Sequence, residues 1–305
     1  MKASLVIPTY NKLGRLKLVL ESLKYQNEDT DNYEVLLIDD GSDDGTWEYL
    51  ERLKVPFDLQ VIRQNNSGRA SARNTGLRNA NYNIIIFSDD DMILSSDFIQ
   101  NHIKCHSGKN HVVHGRIMNL PFTKFFKDPT EGTFMDGLDI RASFSKGLAS
   151  KRISCEMIRP EVFDENITKK GKVTALESFI KMAIQQYIGM IDWLSCVGGN
   201  FSANKSTLEE VNGFDEKFGL NWGCEDIELG YRLMKKGYSF YYAEDAVNYH
   251  LAHYRSDFSK EHAINLDYFY QKYHDEQILL FQEFISENIT REEFLEELIK
   301  NQEKR

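Results

Sequence analysis

The sequence predicts an α/β fold with a mostly parallel central sheet flanked by helices. Two observations carry that expectation. In the first third of the chain, short continuous apolar runs alternate with segments of helical period, the pattern of strands covered on both faces. The chain also has 305 residues, 41% hydrophobic and 28% charged, with only 5 prolines. That composition suits one large α/β domain or two merged halves and argues against disorder.

The elements follow in order. Leu5-Val6-Ile7 is a buried strand. Leu16, Val19, Leu20 and Leu23 recur at i, i+3, i+4 and i+7, the period of an amphipathic helix. Val35 to Ile38 is the second strand, and the turn Asp40 to Gly45 leads to a second helix marked by Trp47, Leu50 and Leu53. Leu59 to Ile62, Ala70 to Ala80 and Ile84 to Phe87 read as strand, helix and strand. Ligands on such sheets collect at the carboxyl ends of the strands. Residues 119–172 show no clear period and are expected to form a long insertion that caps or lines a substrate cleft. Ser206-Thr207-Leu208-Glu209 fits a capping box, with Gly213 as helix stop. Ile227, Tyr231 and Met234 mark a helix ending at Lys235-Lys236-Gly237. Tyr238 to Val247 reads as a strand, and from Ser259 the chain is helical with a charged tail.

Charge and cysteines narrow the function classes. The net charge is -10 and no basic stripe dominates, so a nucleic-acid partner is not expected. A phosphate-bearing substrate would need local help from a metal, an arginine or backbone amides. No run approaches the length of a membrane span, and the opening apolar run is too short for a signal peptide. Cys105, Cys155, Cys196 and Cys224 are scattered without a CxxC pair, which disfavours a zinc or redox motif. Free thiols and no export signal predict a cytoplasmic protein.

Asp89-Asp90-Asp91 is the sharpest local signal, because it follows directly on a buried strand. If extended geometry persists, Asp89 and Asp91 point to one side and suit a hard divalent cation. A solvated acidic turn would read the same way without that placement. Asp39-Asp40-Gly41-Ser42 ends the second strand as a turn, or offers a carboxylate to a base or ribose. Arg69 and Arg73 lie one helical turn apart and could hold a diphosphate or order the acids, or be simply solvated. Trp222-Gly223-Cys224-Glu225-Asp226 opens a helix, where acids cap well, but a tryptophan beside acids also suits a sugar. His250 and His253 are candidate metal ligands whose weight comes from Asp89 and Asp91.

Together these residues resemble glycosyltransferase family 2 and its relatives with the GT-A nucleotide-diphospho-sugar transferase fold, over roughly residues 3–255. Val6-Ile7-Pro8-Thr9-Tyr10-Asn11 resembles the opening strand and nucleotide-contacting loop, and Asp40 matches the carboxylate that recognises uracil. Gly68 to Gly76 is similar to the family's Gly-x-Ala-x-Ala-Arg-Asn-x-Gly helix start. Phe87 to Asp91 looks like the DXD metal motif of β-1,4-galactosyltransferases, and residues 222–226 like their Trp-Gly-Gly-Glu-Asp motif, with Cys224 in place of a glycine that could narrow the acceptor side. Gly198-Gly199-Asn200 resembles the glycine pair near the donor sugar.

The resemblance implies a donor site of Pro8, Thr9, Tyr10, Asp40, Arg69, Arg73, Asp89, Asp90 and Gly199. It implies Mn2+ or Mg2+ on Asp89, Asp91 and His250 or His253, acceptor contacts from Trp222 and Glu225, and Asp226 as base. It divides the chain into a nucleotide-sugar half (1–110), an acceptor half (111–255) carrying the 119–172 insertion, and a helical extension (256–305). The expected reaction moves a hexose or N-acetylhexosamine from a UDP-sugar to a hydroxyl of a carbohydrate or glycoconjugate acceptor. An inverting course is implied, although a similar Trp-Gly-Gly-Glu motif occurs in retaining N-acetylgalactosaminyltransferases. A sugar nucleotidyltransferase would need a glycine-rich loop where Thr9 to Leu13 stand. A carbohydrate-binding protein without catalysis would not need the full set of acids and His250.

Overall fold

The computed structural model describes residues 1–135, 152–253 and 258–303. Strands β1 (Ala3–Thr9), β2 (Tyr33–Asp39), β3 (Asp58–Arg63) and β4 (Ile84–Phe87) run parallel in the order β3-β2-β1-β4. Every residue of β1 and β2 is buried, and period-2 alternation sends them to two different cores. Leu5, Ile7, Val35 and Leu37 meet Leu16, Val19, Leu20 and Leu23 of α1 (Leu13–Leu23). Val6, Leu36 and Ile38 meet Ala70, Ala72 and Leu77 of α3 (Arg69–Asn79) on the other face. The small residues of α3 allow that approach: a Cβ on Gly76 would lie 2.2 Å from Val6 Cγ1.

The sheet continues through β9 (Phe201–Asn204), β6 (Val112–Leu120), β10 (Phe240–Leu251) and β5 (Met92–Leu94), giving the order β3-β2-β1-β4-β9-β6-β10-β5. Strand β9 is antiparallel to both β4 and β6, and β5 is antiparallel to β10. Residues on both sides of position 110 therefore share one sheet. None of β5, α4 (Phe98–Cys105), β6, β9 or α6 (Ala175–Gln186) was legible from periodicity.

Three local expectations are corrected. The helix at Trp47, α2 (Thr46–Leu50), stops before Leu53. Strand β10 starts at Phe240 and runs four residues past Val247, with a register shift between Ala243 and Asn248. The capping box does not form: β9 extends to Asn204, Lys205 N donates to Asn83 O (2.6 Å), and α7 (Lys205–Glu210) starts there, so Ser206 lies inside the helix. Gly213 does act as a stop, with φ +63° and its N–H on Leu208 O (2.8 Å).

The insertion leaves and returns at one point, since Asn119 and Lys172 exchange two backbone hydrogen bonds of 2.8 Å. Its described part holds a hairpin, β7 (Phe126–Asp128) with β8 (Thr133–Phe134), and helix α5 (Pro160–Asn166). Ile153, Ile158 and Ile167 pack against Ile93, Leu120, Tyr249 and Leu251 and so cover the β5–β10 end of the sheet. Arg15 of α1, 5% exposed, donates to the carbonyls of Phe126, Lys127 and Ala252, which pins the insertion to the end of β10.

Helices α9 (Phe258–Tyr273), α10 (Glu276–Ile285) and α11 (Arg291–Glu303) form the C-terminal extension. Their Phe269, Phe281 and Phe294 share a core with Trp193, with Phe179 of α6 and with Tyr231 of α8 (Glu225–Lys235). Among the described residues, no helix is long and apolar enough to cross a membrane.

Candidate active site

The site forms where the carboxyl ends of β1, β2, β4 and β10 meet the first turn of α8. Extended geometry does not persist through the three aspartates. Ser88 N still donates to Val6 O, but the chain then turns and Met92 N bonds Asp89 O (3.2 Å). The carboxylates consequently reach different partners: Asp89 meets Arg73, whereas Asp90 and Asp91 both approach Lys12.

Asp91 is 2% exposed and gathers cations. Its Oδ2 lies 2.7 Å from Lys12 Nζ, 3.1 Å from His253 Nε2 and 3.9 Å from His250 Nε2. Leu251 N donates to Asp91 O (2.8 Å), which is how the long β10 brings both histidines to the acid. Burial alone would raise the Asp91 pKa, but Lys12, His250 and His253 outweigh it and hold the carboxyl well below the usual range. Asp91, His250 and His253 offer ligand atoms all within 4.8 Å of one another, and among the described residues this is the one such group. One carboxylate with two imidazoles suits a divalent transition ion, and the ammonium already drawn to Asp91 shows that the position demands positive charge. Asp89 lies outside this group of three.

Asp89 instead accepts from Arg73 (2.8 Å). Arg73 is 1% exposed and also donates to Glu225 (2.8 Å), so it ties the end of β4 to the start of α8. Desolvation opposes its charge, but Asp89, Glu225 and Asp226 more than offset that and raise its pKa. Arg69, one turn earlier, is half-buried and makes no ion pair among the described residues. Asp90 accepts from Thr9 Oγ1 (2.8 Å) and lies 3.2 Å from Lys12; burial pushes its pKa up against that lysine.

Gly198 and Gly199 pack closely between these groups. A Cβ on Gly198 would sit 2.2 Å from Arg73 Nη2, and one on Gly199 2.4 Å from Met92 Cε and 3.6 Å from Asp89 Oδ2. Gly198 N donates to Asp226 Oδ2 (2.8 Å) and Ile227 N to Asp226 Oδ1 (2.8 Å). Burial and the adjacent Glu225 push Asp226 up to about 6, against Arg73 and the two amides. Burial and the neighbouring acid thus outweigh the helix N-terminus. Glu225 Oε2 is buried without a hydrogen-bond partner, while Oε1 takes Arg73.

Trp222 is half-buried beside this pair, and its backbone N–H donates to Glu261 of α9 (3.2 Å). Asn265 of the same helix donates to the carbonyls of Asn221 (3.2 Å) and Gly223 (2.8 Å). Cys224 takes a left-handed φ of +73°, a conformation natural to glycine. Its side chain joins the core under α9, with Sγ 3.6 Å from His262 Nε2.

At the end of β1, Pro8 is buried and Tyr10 is exposed. Asp40 accepts from Ser67 N (3.0 Å), Gly68 N (2.9 Å) and Gln64 Nε2 (2.7 Å), and so organises the loop before α3. Burial raises its pKa despite those donors. Sequence reasoning missed Lys12, Glu261 and Asn265. Only Lys12 left a signal, as a cation in the loop just past the first strand.

The profile of the glycosyl transferase family 2 matches residues 4–166, over half of the chain. The chain belongs to glycosyltransferase family 2. A second profile, the N-terminal domain of galactosyltransferase, matches residues 180–256 and takes in the α8 motif and both histidines. This family 2 chain is 32% identical over 265 residues to the uncharacterized glycosyltransferase YfnE of Bacillus subtilis, covering 83% of this chain and 65% of that protein. It is 30% identical to a chondroitin synthase of Escherichia coli, covering 81% of this chain and 34% of the synthase. The chain thus spans less than two thirds of these relatives' own length. The fold is similar to that of S. aureus TarS 1-349 in complex with UDP-GlcNAc, with TM-score 0.55, 16% identity, and coverage of 92% of this chain and 71% of that one. It is also similar to the mannosyltransferase PcManGT of Pyrobaculum calidifontis in complex with GDP-Man and Mn2+, with TM-score 0.53, 18% identity, and coverage of 84% and 58%.

Proposed function

We propose that this family 2 chain transfers a hexose or N-acetylhexosamine from a UDP-sugar to a sugar hydroxyl, with inversion, in polysaccharide or glycoconjugate synthesis. One observation carries the reading. A cation-binding group (Asp91, His250, His253) and a perturbed carboxylate at a helix start (Asp226) meet the same glycine pair, with Gly198 N on Asp226 and Gly199 packed on Met92, the residue after Asp91. Mn2+ or Mg2+ on Asp91, His250 and His253 would neutralise the departing diphosphate.

The chain's own residues supply the rest. Thr9, Tyr10 and Asp40 stand at adjacent strand ends, where a nucleotide would lie. Asp89 is held by Arg73 and faces Gly199, where a donor sugar would approach. Asp226, ionised above about pH 6, takes the proton of the acceptor hydroxyl, a poor nucleophile without such a base. Trp222 and Glu225 hold the acceptor beside it. The likeness to YfnE, to chondroitin synthase and to a UDP-GlcNAc complex supports a nucleotide-sugar donor.

The test is nucleotide release from UDP-glucose, UDP-galactose, UDP-GlcNAc, UDP-GalNAc and GDP-mannose, each with Mn2+, Mg2+ or EDTA, over a panel of saccharide acceptors. Metal-dependent UDP release supports the reading. Saccharide binding with no nucleotide released from any donor points to a carbohydrate-binding protein. GDP release alone moves the donor class to guanosine sugars.

A further inference from the structure

We propose that Lys12 is a built-in counter-cation of the metal site, and that a divalent ion enters by exchange with its ammonium. The inference rests on the reading of Asp91, His250 and His253 as metal ligands. Lys12 Nζ touches the same oxygen that both histidines approach, Asp91 Oδ2, at 2.7 Å. It also lies 3.2 Å from Asp90 Oδ1 and 3.5 Å from His253 Nε2. An ammonium at that distance and a divalent ion on the same carboxylate oxygen would repel each other directly.

The lysine does not reach the site by chance of a loose loop. Asn11 takes a left-handed φ of +53°, its N–H donates to Ser42 Oγ (3.0 Å), and its side chain accepts from Asp43 N (2.9 Å). These contacts fix the chain just after β1 and set Lys12 at the start of α1, facing the acids. Two buried neighbouring carboxylates without a cation would repel each other and lose solvation. Lys12 relieves that cost in the metal-free protein. Every divalent ion must then displace a charge-assisted hydrogen bond, so the site takes up metal more weakly than its three ligands alone would allow.

The experiment titrates Mn2+ alone into the full chain, reading free Mn2+ by electron paramagnetic resonance. Lys12→Met should bind Mn2+ on the order of tenfold tighter than the unmodified protein, the value of one lost charge-assisted contact. Lys17→Met controls for charge at large, because Lys17 sits on the same helix over the Tyr49 ring (5.4 Å) and outside the acid cluster. An unchanged or weaker affinity in Lys12→Met overturns the exchange, as does an equal gain in Lys17→Met. Melting in EDTA gives a second reading, since Lys12→Met should melt lower than the unmodified protein and regain more on adding Mn2+; equal behaviour overturns the proposal. Asp91→Asn separates the two levels. If it binds Mn2+ normally the metal reading itself fails, whereas lost binding there with no gain in Lys12→Met sinks the exchange alone.

Discussion

Replacing Asp226 by asparagine should remove most transfer while leaving the protein as stable as before or more so. The rise of its pKa from 3.8 to about 6 means that its ionised form is disfavoured in the fold by ~3 kcal/mol. Asparagine removes that charge next to Glu225 but can accept from only one of the Gly198 and Ile227 amides, a loss of ~1 kcal/mol. The balance is a gain of ~2 kcal/mol at pH 7. Turnover should fall ~10²–10⁴-fold, the usual effect of losing a general base. In the unmodified protein the raised pKa gives opposite trends. Stability contributed by this carboxyl is present at low pH and is lost as pH rises from 3.8 through about 6, whereas the catalytically competent base appears over that same interval. The ionised fraction is ~90% at pH 7 and ~10% at pH 5, so kcat/KM should drop about tenfold between them. The assay is UDP release with the donor that the unmodified protein uses best, followed from pH 5 to 8, with melting and UDP affinity as controls. Near-normal turnover of Asp226→Asn, or a flat profile from pH 5 to 7, refutes the assignment.

Asp91→Ala should lose Mn2+ binding and turnover together, and full activity of the unmodified protein in excess EDTA would show that no metal is needed. Arg73→Met should cost ~3–5 kcal/mol in chemical denaturation, because it strands the buried Glu225 without its cation. Asp40→Ala should weaken UDP binding by ~1.5–3 kcal/mol in calorimetry, through any direct contact and through release of the Ser67–Gly68 amides; unchanged affinity would remove Asp40 from the nucleotide site. Gly68→Ala should destabilise by at least ~1–3 kcal/mol, since φ is +90° and the new Cβ would also lie 2.0 Å from Gly219 O, and an unchanged melting temperature would contradict that geometry.

The first four parallel strands and helices α1 and α3 were legible because each signal is local. A run such as Ile84 to Phe87 is buried on both faces whatever its neighbours, and Leu16 to Leu23 carries its period within one helix. The chemistry-bearing acids were legible for the same reason, as they stand directly at the ends of those runs. The rest depended on partners far away in the chain. Strands of three or four residues, such as β5 and β9, carry too few positions to show a period and exist because β10, β4 and β6 supply their hydrogen bonds. The capping box failed because a strand pairing to β4 decided where α7 begins.

The sequence by itself determined which residue types are available for cation and proton chemistry, and on which loops they lie. Tertiary structure alone decided their pairing. Local alternation put Asp89 beside Asp91, but the turn after Phe87 gives Asp89 to Arg73 and Asp91 to Lys12, His250 and His253, across separations of up to 241 residues from Lys12 to His253. The competition between helix field and burial at Asp226 was likewise open in the sequence. It was resolved by how deeply the first turn of α8 sits under Gly198 and beside Glu225, because desolvation depends on everything that surrounds a group and not on its neighbours in the chain.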